Sequence, residues 1–189
     1  MRRMILGAAA LLLCACGQQT QMATTSASGG CERSATHQVL WTDAERPDTI
    51  SVRAEGPSCS QAVVSFVARN AQGDPLWTFI NTYHDMATGG VMTDDTPAVA
   101  AQQVDHFLAG WANVTAQTSS QLPEWREGAE NVGSNGGLTY TTSFSRESYE
   151  AMRQRNSRMI CYAAAVAATQ CLVIDPSSNS PAMIVAYGS

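Results

Sequence analysis

The chain has 189 residues, enough for one folded unit with a sizeable core and too few for two comfortable ones. Sixteen acids outnumber eleven basic residues, and the net charge of −5 argues against a nucleic-acid binder and against attraction to anionic lipid through charge. Every basic residue is arginine, a bias that GC-rich coding explains and that carries no functional weight.

In chain order, the first informative segment is the N-terminus. Met1-Arg2-Arg3 is a short basic start, Met4 to Leu13 is an unbroken apolar run, and Leu13-Cys14-Ala15-Cys16-Gly17 follows. A basic n-region, a short h-region and a small residue before the cleavage point read as an export signal. The run is too short for a membrane-spanning helix, which needs about 20 apolar residues. The Leu-x-Ala-Cys ending resembles the lipobox of bacterial lipoproteins. Cleavage before Cys16 puts small Ala15 last in the signal, whereas cleavage before Cys14 would put bulky Leu13 there. The resemblance implies lipidation at Cys16 and a mature protein tethered to a membrane outside the cytoplasm. Gly17 after the cysteine, rather than aspartate, implies an outer-membrane destination facing the periplasm in preference to the inner membrane.

Residues 1–15 are therefore expected to be signal peptide, 16–30 a flexible tether, and 31–189 a single globular β-rich domain. The tether expectation rests on QQTQMATTSASGG, which is poor in bulky residues. Four further cysteines, Cys31, Cys59, Cys161 and Cys171, suggest two disulfides in an exported chain. Three connectivities are open, and Cys31–Cys59 with Cys161–Cys171 is favoured because each pair closes a local loop. A four-cysteine metal site is disfavoured by the lack of any C-x-x-C.

Thr36 to Trp41 is expected to be the first strand, and Thr49 to Glu55 alternates as a strand with one wet face. Ala62 to Arg69 is a third strand, its Val63-Val64 and Phe66-Val67 suggesting burial on both sides, and Leu76 to Tyr83 is a fourth. Short turns between them imply an antiparallel meander. Asp94-Asp95-Thr96-Pro97 is a helix-start signal, with Thr96 as N-cap and proline in first position. Ala100, Val104, Phe107, Leu108 and Trp111 then form one apolar stripe.

Ala116 to Gly137 is weakly patterned, and so long a loop in a compact domain is either functional or mobile. Leu138 to Phe144 resumes as a strand. Arg146 to Arg155 is a second helix capped by Ser145, with Tyr149 and Met152 inward. Met159 to Val166, Cys171 to Ile174 and Ala182 to Tyr187 are the last strands, with a turn near Ala167 to Gln170. The fold class is α+β: a mainly antiparallel sheet of about seven strands with one or two packed helices. A β-sandwich with a helical insertion is the alternative.

Candidate chemistry is sparse. His84-Asp85, Asp94-Asp95 and Asp105-His106 concentrate imidazoles and carboxylates that could hold a metal or transfer protons. Their spacing matches no ligand motif, so no metal, cofactor or catalytic residue is assigned. Trp125 is more suggestive. It lies in a polar loop between Glu124 and Arg126, where an indole could anchor a partner protein, stack on a sugar, or tuck back over the sheet.

The expected function is that of a non-catalytic binding or envelope-maintenance module. Its partners are the membrane through the lipid and an envelope protein or glycan, with no nucleic acid. One alternative is an inhibitor of an envelope hydrolase such as lysozyme, for which an acidic loop around Trp125 would suit a basic enzyme. The other is a hydrolase using the His84/Asp85/His106 region.

Overall fold

The computed structural model describes residues 30–89 and 98–189. Cys16, its signal and tether up to residue 29, and Asp94-Asp95-Thr96-Pro97 lie outside the described residues.

Four strands follow one another as an antiparallel meander: β1 Cys31–Val39, β2 Asp48–Gly56, β3 Val63–Arg69 and β4 Pro75–Thr82. Period-two patterning decides which face turns inward. In β2, Ile50, Val52 and Ala54 are fully buried, while Arg53 and Glu55 are exposed. Register carries that face across the sheet: Val52 lies opposite Ala35 and Phe66, and Phe66 lies opposite Phe79. The expectation that β3 is buried on both sides is corrected. Val64, Phe66 and Ala68 are buried but Val63 is 49 % exposed, because the core lies against only one face of this sheet.

The first strand starts five residues earlier than its hydrophobic pattern predicts and ends at Val39. Trp41 sits beyond it, in the connection to β2. Asp48, itself buried, accepts from the Trp41 N–H (3.2 Å), the Thr42 N–H (2.6 Å) and the Thr42 hydroxyl (2.7 Å). These bonds satisfy a carboxylate that would otherwise be costly to bury.

A short helix, α1 Tyr83–Thr88, follows β4 and is capped by the Thr82 hydroxyl, which accepts from the Asp85 N–H. The main helix, α2 Ala101–Ala112, begins later than Thr96-Pro97 would place it, because Ala98 to Ala100 are not helical. Ala100 is the N-cap, outside the stripe it was expected to open. It has no side-chain oxygen, and the Gln103 amide compensates by accepting from the Ala100 N–H at 2.9 Å. Val104, Leu108 and Trp111 face inward as the 3.6-residue spacing requires.

The second sheet has six strands: β5 Ala116–Thr118, β6 Gly133–Asn135, β7 Leu138–Thr141, β8 Arg158–Ala165, β9 Ala168–Asp175 and β10 Ser180–Gly188. Their spatial order is β5-β8-β9-β10-β7-β6, and every pairing is antiparallel. Helix α3, Arg146–Gln154, connects β7 to β8 and is capped by Ser145, whose hydroxyl accepts from the Ser148 N–H at 3.2 Å. The architecture is thus α+β and mainly antiparallel. The ten described strands divide between two sheets that share a core as a sandwich does.

That shared core holds Ile50, Val52 and Phe66 from the first sheet, Val104, Leu108 and Trp111 from α2, and Ile160, Tyr162 and Leu172 from the second sheet. Phe66 stacks on Tyr162 with ring centroids 4.7 Å apart and meets Trp111 at 5.6 Å. The far face of the second sheet builds another cluster from Met159, Cys171, Val173, Ile184 and Val185 under Tyr149 and Met152 of α3. The second sheet is therefore buried on both faces and the first on one.

Both favoured disulfides form. Cys31–Cys59 ties the start of β1 to a short 3-10 turn between β2 and β3. Cys161–Cys171 joins residues directly opposite each other in β8 and β9. The turn between those strands is tighter than expected, centred on Val166-Ala167, so Ala168 to Gln170 already belong to β9.

Candidate functional site around Trp125

The weakly patterned stretch from Ala116 to Gly137 is not a structureless loop. It contributes the edge strands β5 and β6 and a short 3-10 turn, Ser119–Gln121. Only residues 122–132 are without regular structure, and they are held in place by side chains of α3 and by the backbone of Thr142, just past the end of β7.

Leu122 and Val132 anchor the two ends of this segment in the far cluster, at 7 % and 2 % exposure. Between them the backbone is bonded outward. The Tyr149 hydroxyl donates to the Pro123 carbonyl at 2.8 Å, and the Trp125 N–H donates to Glu150 Oε1 at 2.7 Å. The other oxygen of Glu150 accepts from Arg153 Nε at 2.8 Å, and Arg153 Nη2 reaches Glu124 at 3.1 Å. Further along, the Asn131 side chain donates to the Thr142 carbonyl and accepts from the Thr142 N–H.

Sequence spacing explains the brace. Glu150 and Arg153 are three residues apart, so they are neighbours on one face of α3. Their side chains are 20 % and 15 % exposed, which shields the pair from solvent. Burial works against ionising Glu150, but the Trp125 N–H and the Arg153 guanidinium outweigh it and hold the carboxyl below its ordinary pKa. The hydrogen bond to Glu150 likewise raises Arg153. Burial, with the Glu150 charge adding to it, pushes the Tyr149 phenol up to about 12, so at neutral pH it stays a donor to Pro123.

Trp125 is half-buried. Its ring meets Tyr149 edge-on at 5.9 Å, and its Nε1 donates to the Ala129 carbonyl at 3.1 Å. It is neither a free anchor nor a fully internal residue. Its accessible surface lines an open cavity of about 460 Å³, together with Glu124, Arg126, Glu127, Ser134 and Arg146. The three residues proposed from sequence, Trp125, Glu124 and Arg126, therefore line one concavity of a size that takes small ligands. The hairpin β6–β7 supplies its other wall. Gly136 and Gly137 both have positive φ, as the two central residues of a type I′ turn require. Arg126 Nη2 donates to the Ser134 carbonyl at 2.7 Å and clips the loop to that hairpin.

Sequence reasoning missed Arg146, Glu150 and Arg153. The i,i+3 acid–base pair on α3 was visible in the sequence, but which loop it would brace was not.

The histidine-bearing segments show no comparable organisation. His84 and Asp85 lie on α1, and His106 is exposed on α2. Asp105 pairs with Arg33 across to β1 at 3.7 Å. Among the described residues, no group of three or more His, Cys, Asp or Glu side chains gathers as a metal site would require.

A second cavity, of about 270 Å³, opens between the turns at one end of the first sheet and β9, over Leu76 and Ile174. Its charges are satisfied internally. Arg46 donates to Asp43 Oδ2 through Nε (2.9 Å) and Nη2 (2.7 Å), and Asn70 closes its own turn by accepting from the Gln72 and Asp74 N–H groups. It offers a ligand less than the Trp125 cavity does.

No protein-family model, no curated protein and no solved structure matches this chain.

Proposed function

We propose that this protein is a lipid-anchored binding module of the bacterial cell envelope, without catalytic activity of its own, and that it meets its partner through the Trp125 loop. The observation that carries this reading is the brace. Eleven consecutive residues, 122–132, have no regular structure, yet the Glu150–Arg153 pair and the Tyr149 hydroxyl fix them around a cavity containing a half-exposed indole. A pre-organised irregular loop loses little entropy on binding, which is what a recognition surface needs. The lipobox resemblance at Cys16 and the two disulfides support a location outside the cytoplasm. Attachment through the several acyl chains implied by that resemblance would be stable, since two membrane signals already suffice.

Inhibition of an envelope hydrolase is a second reading, and one observation favours it: Glu124, Glu127 and Glu130 are all exposed on the same braced loop. A basic enzyme would be steered to it.

The test places a photo-crosslinking residue at position 127 in living cells, with position 80 on the opposite sheet as control. A discrete adduct at 127 that disappears with Trp125→Ala is expected. Equal labelling at both positions, insensitive to Trp125, would remove the loop from the account.

A further inference from the structure

We infer that the Trp125 cavity takes a carboxylate presented on a sugar ring, with Arg126 and Arg146 as its charge partners; the inference rests on the loop being the recognition surface. Four ionised side chains line the cavity: Glu124, Arg126, Glu127 and Arg146. Glu124 is engaged by Arg153 at 3.1 Å, whereas neither Arg126 nor Arg146 makes an ion pair among the described residues.

Arg126 is held in place by donating to a neutral backbone carbonyl, that of Ser134, so its guanidinium is positioned without being neutralised. Arg146 is the first residue of α3, where the helix dipole disfavours a cation. Its charge acts on Glu150 one turn along the helix, but no carboxylate pairs with it directly among the described residues, so the guanidinium is open to an anion in the cavity. Guanidinium groups bind carboxylates through paired, charge-assisted hydrogen bonds. Trp125 adds an aromatic surface beside them, and the apolar face of a sugar ring packs on such a surface. Glu127 is the one lining acid without an ion-pair partner among the described residues, and it opposes an anion. Its removal therefore strengthens binding, an effect that loss of folding cannot imitate.

The experiment is calorimetric titration of the full mature protein, in detergent, with three probes: digalacturonate, its neutral counterpart digalactose, and dialanine. Digalacturonate binds, and digalactose binds about tenfold more weakly or worse, as expected for the loss of a hydrogen-bonded charge. Arg126→Gln with Arg146→Gln lowers digalacturonate affinity by a similar factor, Glu127→Gln raises it, and added salt weakens it. Equal affinity for digalactose, an unaffected double arginine variant, binding of dialanine alone, or no binding of any probe would each overturn the inference. If these fail while the position-127 adduct still depends on Trp125, the loop remains a recognition surface for a different ligand. If that adduct is also insensitive to Trp125, both proposals fall.

Discussion

Tyr162 shows how one residue serves both packing and polarity. Its ring stacks on Phe66 at the junction of the two sheets. Its hydroxyl accepts from Trp77 Nε1 at 2.9 Å and donates to Gln170 Oε1 at 2.6 Å. Tyr162→Phe keeps the ring but strands a partly buried indole N–H, so a loss of about 1–3 kcal/mol in chemical denaturation is expected. An unchanged midpoint would mean that water replaces the hydroxyl. Asp43 is a test of local electrostatics. The Glu45 N–H, with the Arg46 side chain next, lowers its carboxyl to about 2. A depressed folded value contributes stability above the unfolded pKa. That contribution is lost as pH falls from near 3.8 toward about 2. A carbon-detected NMR titration should place Asp43 at about 2, and Arg46→Gln should raise it toward 3.8. An ordinary midpoint in the unmodified protein would contradict the geometry. The two differ in how local their partners are: Trp77 is 85 positions from Tyr162 and not legible in the sequence, whereas Asp43 is bonded by its near neighbours Glu45 and Arg46.

The elements divide by how local their causes are. β2 was readable because it has one wet face, and α3 because Ser145 sits directly before its amphipathic turns. The Thr96-Pro97 signal did not set the start of α2, because Gln103 caps it from inside the helix. β5 and β6, three residues each, carry no period of their own and exist because longer strands offer them an edge to pair with. Ser145→Ala should cost about 1 kcal/mol by loss of the cap, read as a lower denaturation midpoint without loss of fold. Glu150→Ala, which removes the acceptor for the Trp125 N–H as well as the partner of Arg153, should leave α3 intact but loosen residues 122–132. Faster amide exchange at Trp125 and earlier proteolysis in this segment are expected, and protection equal to the parent would show that Tyr149 and Asn131 suffice. The disulfides differ by loop length. Cys31–Cys59 spans 28 residues and Cys161–Cys171 spans 10, inside a hairpin already hydrogen-bonded. Chain entropy gives about 3.6 and about 2.7 kcal/mol respectively as upper figures. The paired alanine variant at Cys31 and Cys59 should be the less stable of the two, and the reverse order would point to strand packing around Cys171.

At the scale of the whole molecule, the meander of the first sheet was foreseeable because its neighbours in sequence are neighbours in space. The second sheet was not, since β7 and β10 pair across more than forty residues and β5 finds β8 only after α3 has intervened. The Trp125 site belongs to that less legible half. Its indole stood out in the sequence, but the cavity depends on α3, the β6–β7 hairpin and the loop arriving together. The proposed function joins a recognition surface of this kind to a membrane through Cys16. Intact-mass analysis and membrane fractionation of the native protein beside Cys16→Ala test that join most directly. Acyl mass on Cys16, with membrane association lost in the variant, is the predicted result. A freely soluble mature chain without lipid would contradict it and make the module diffusible.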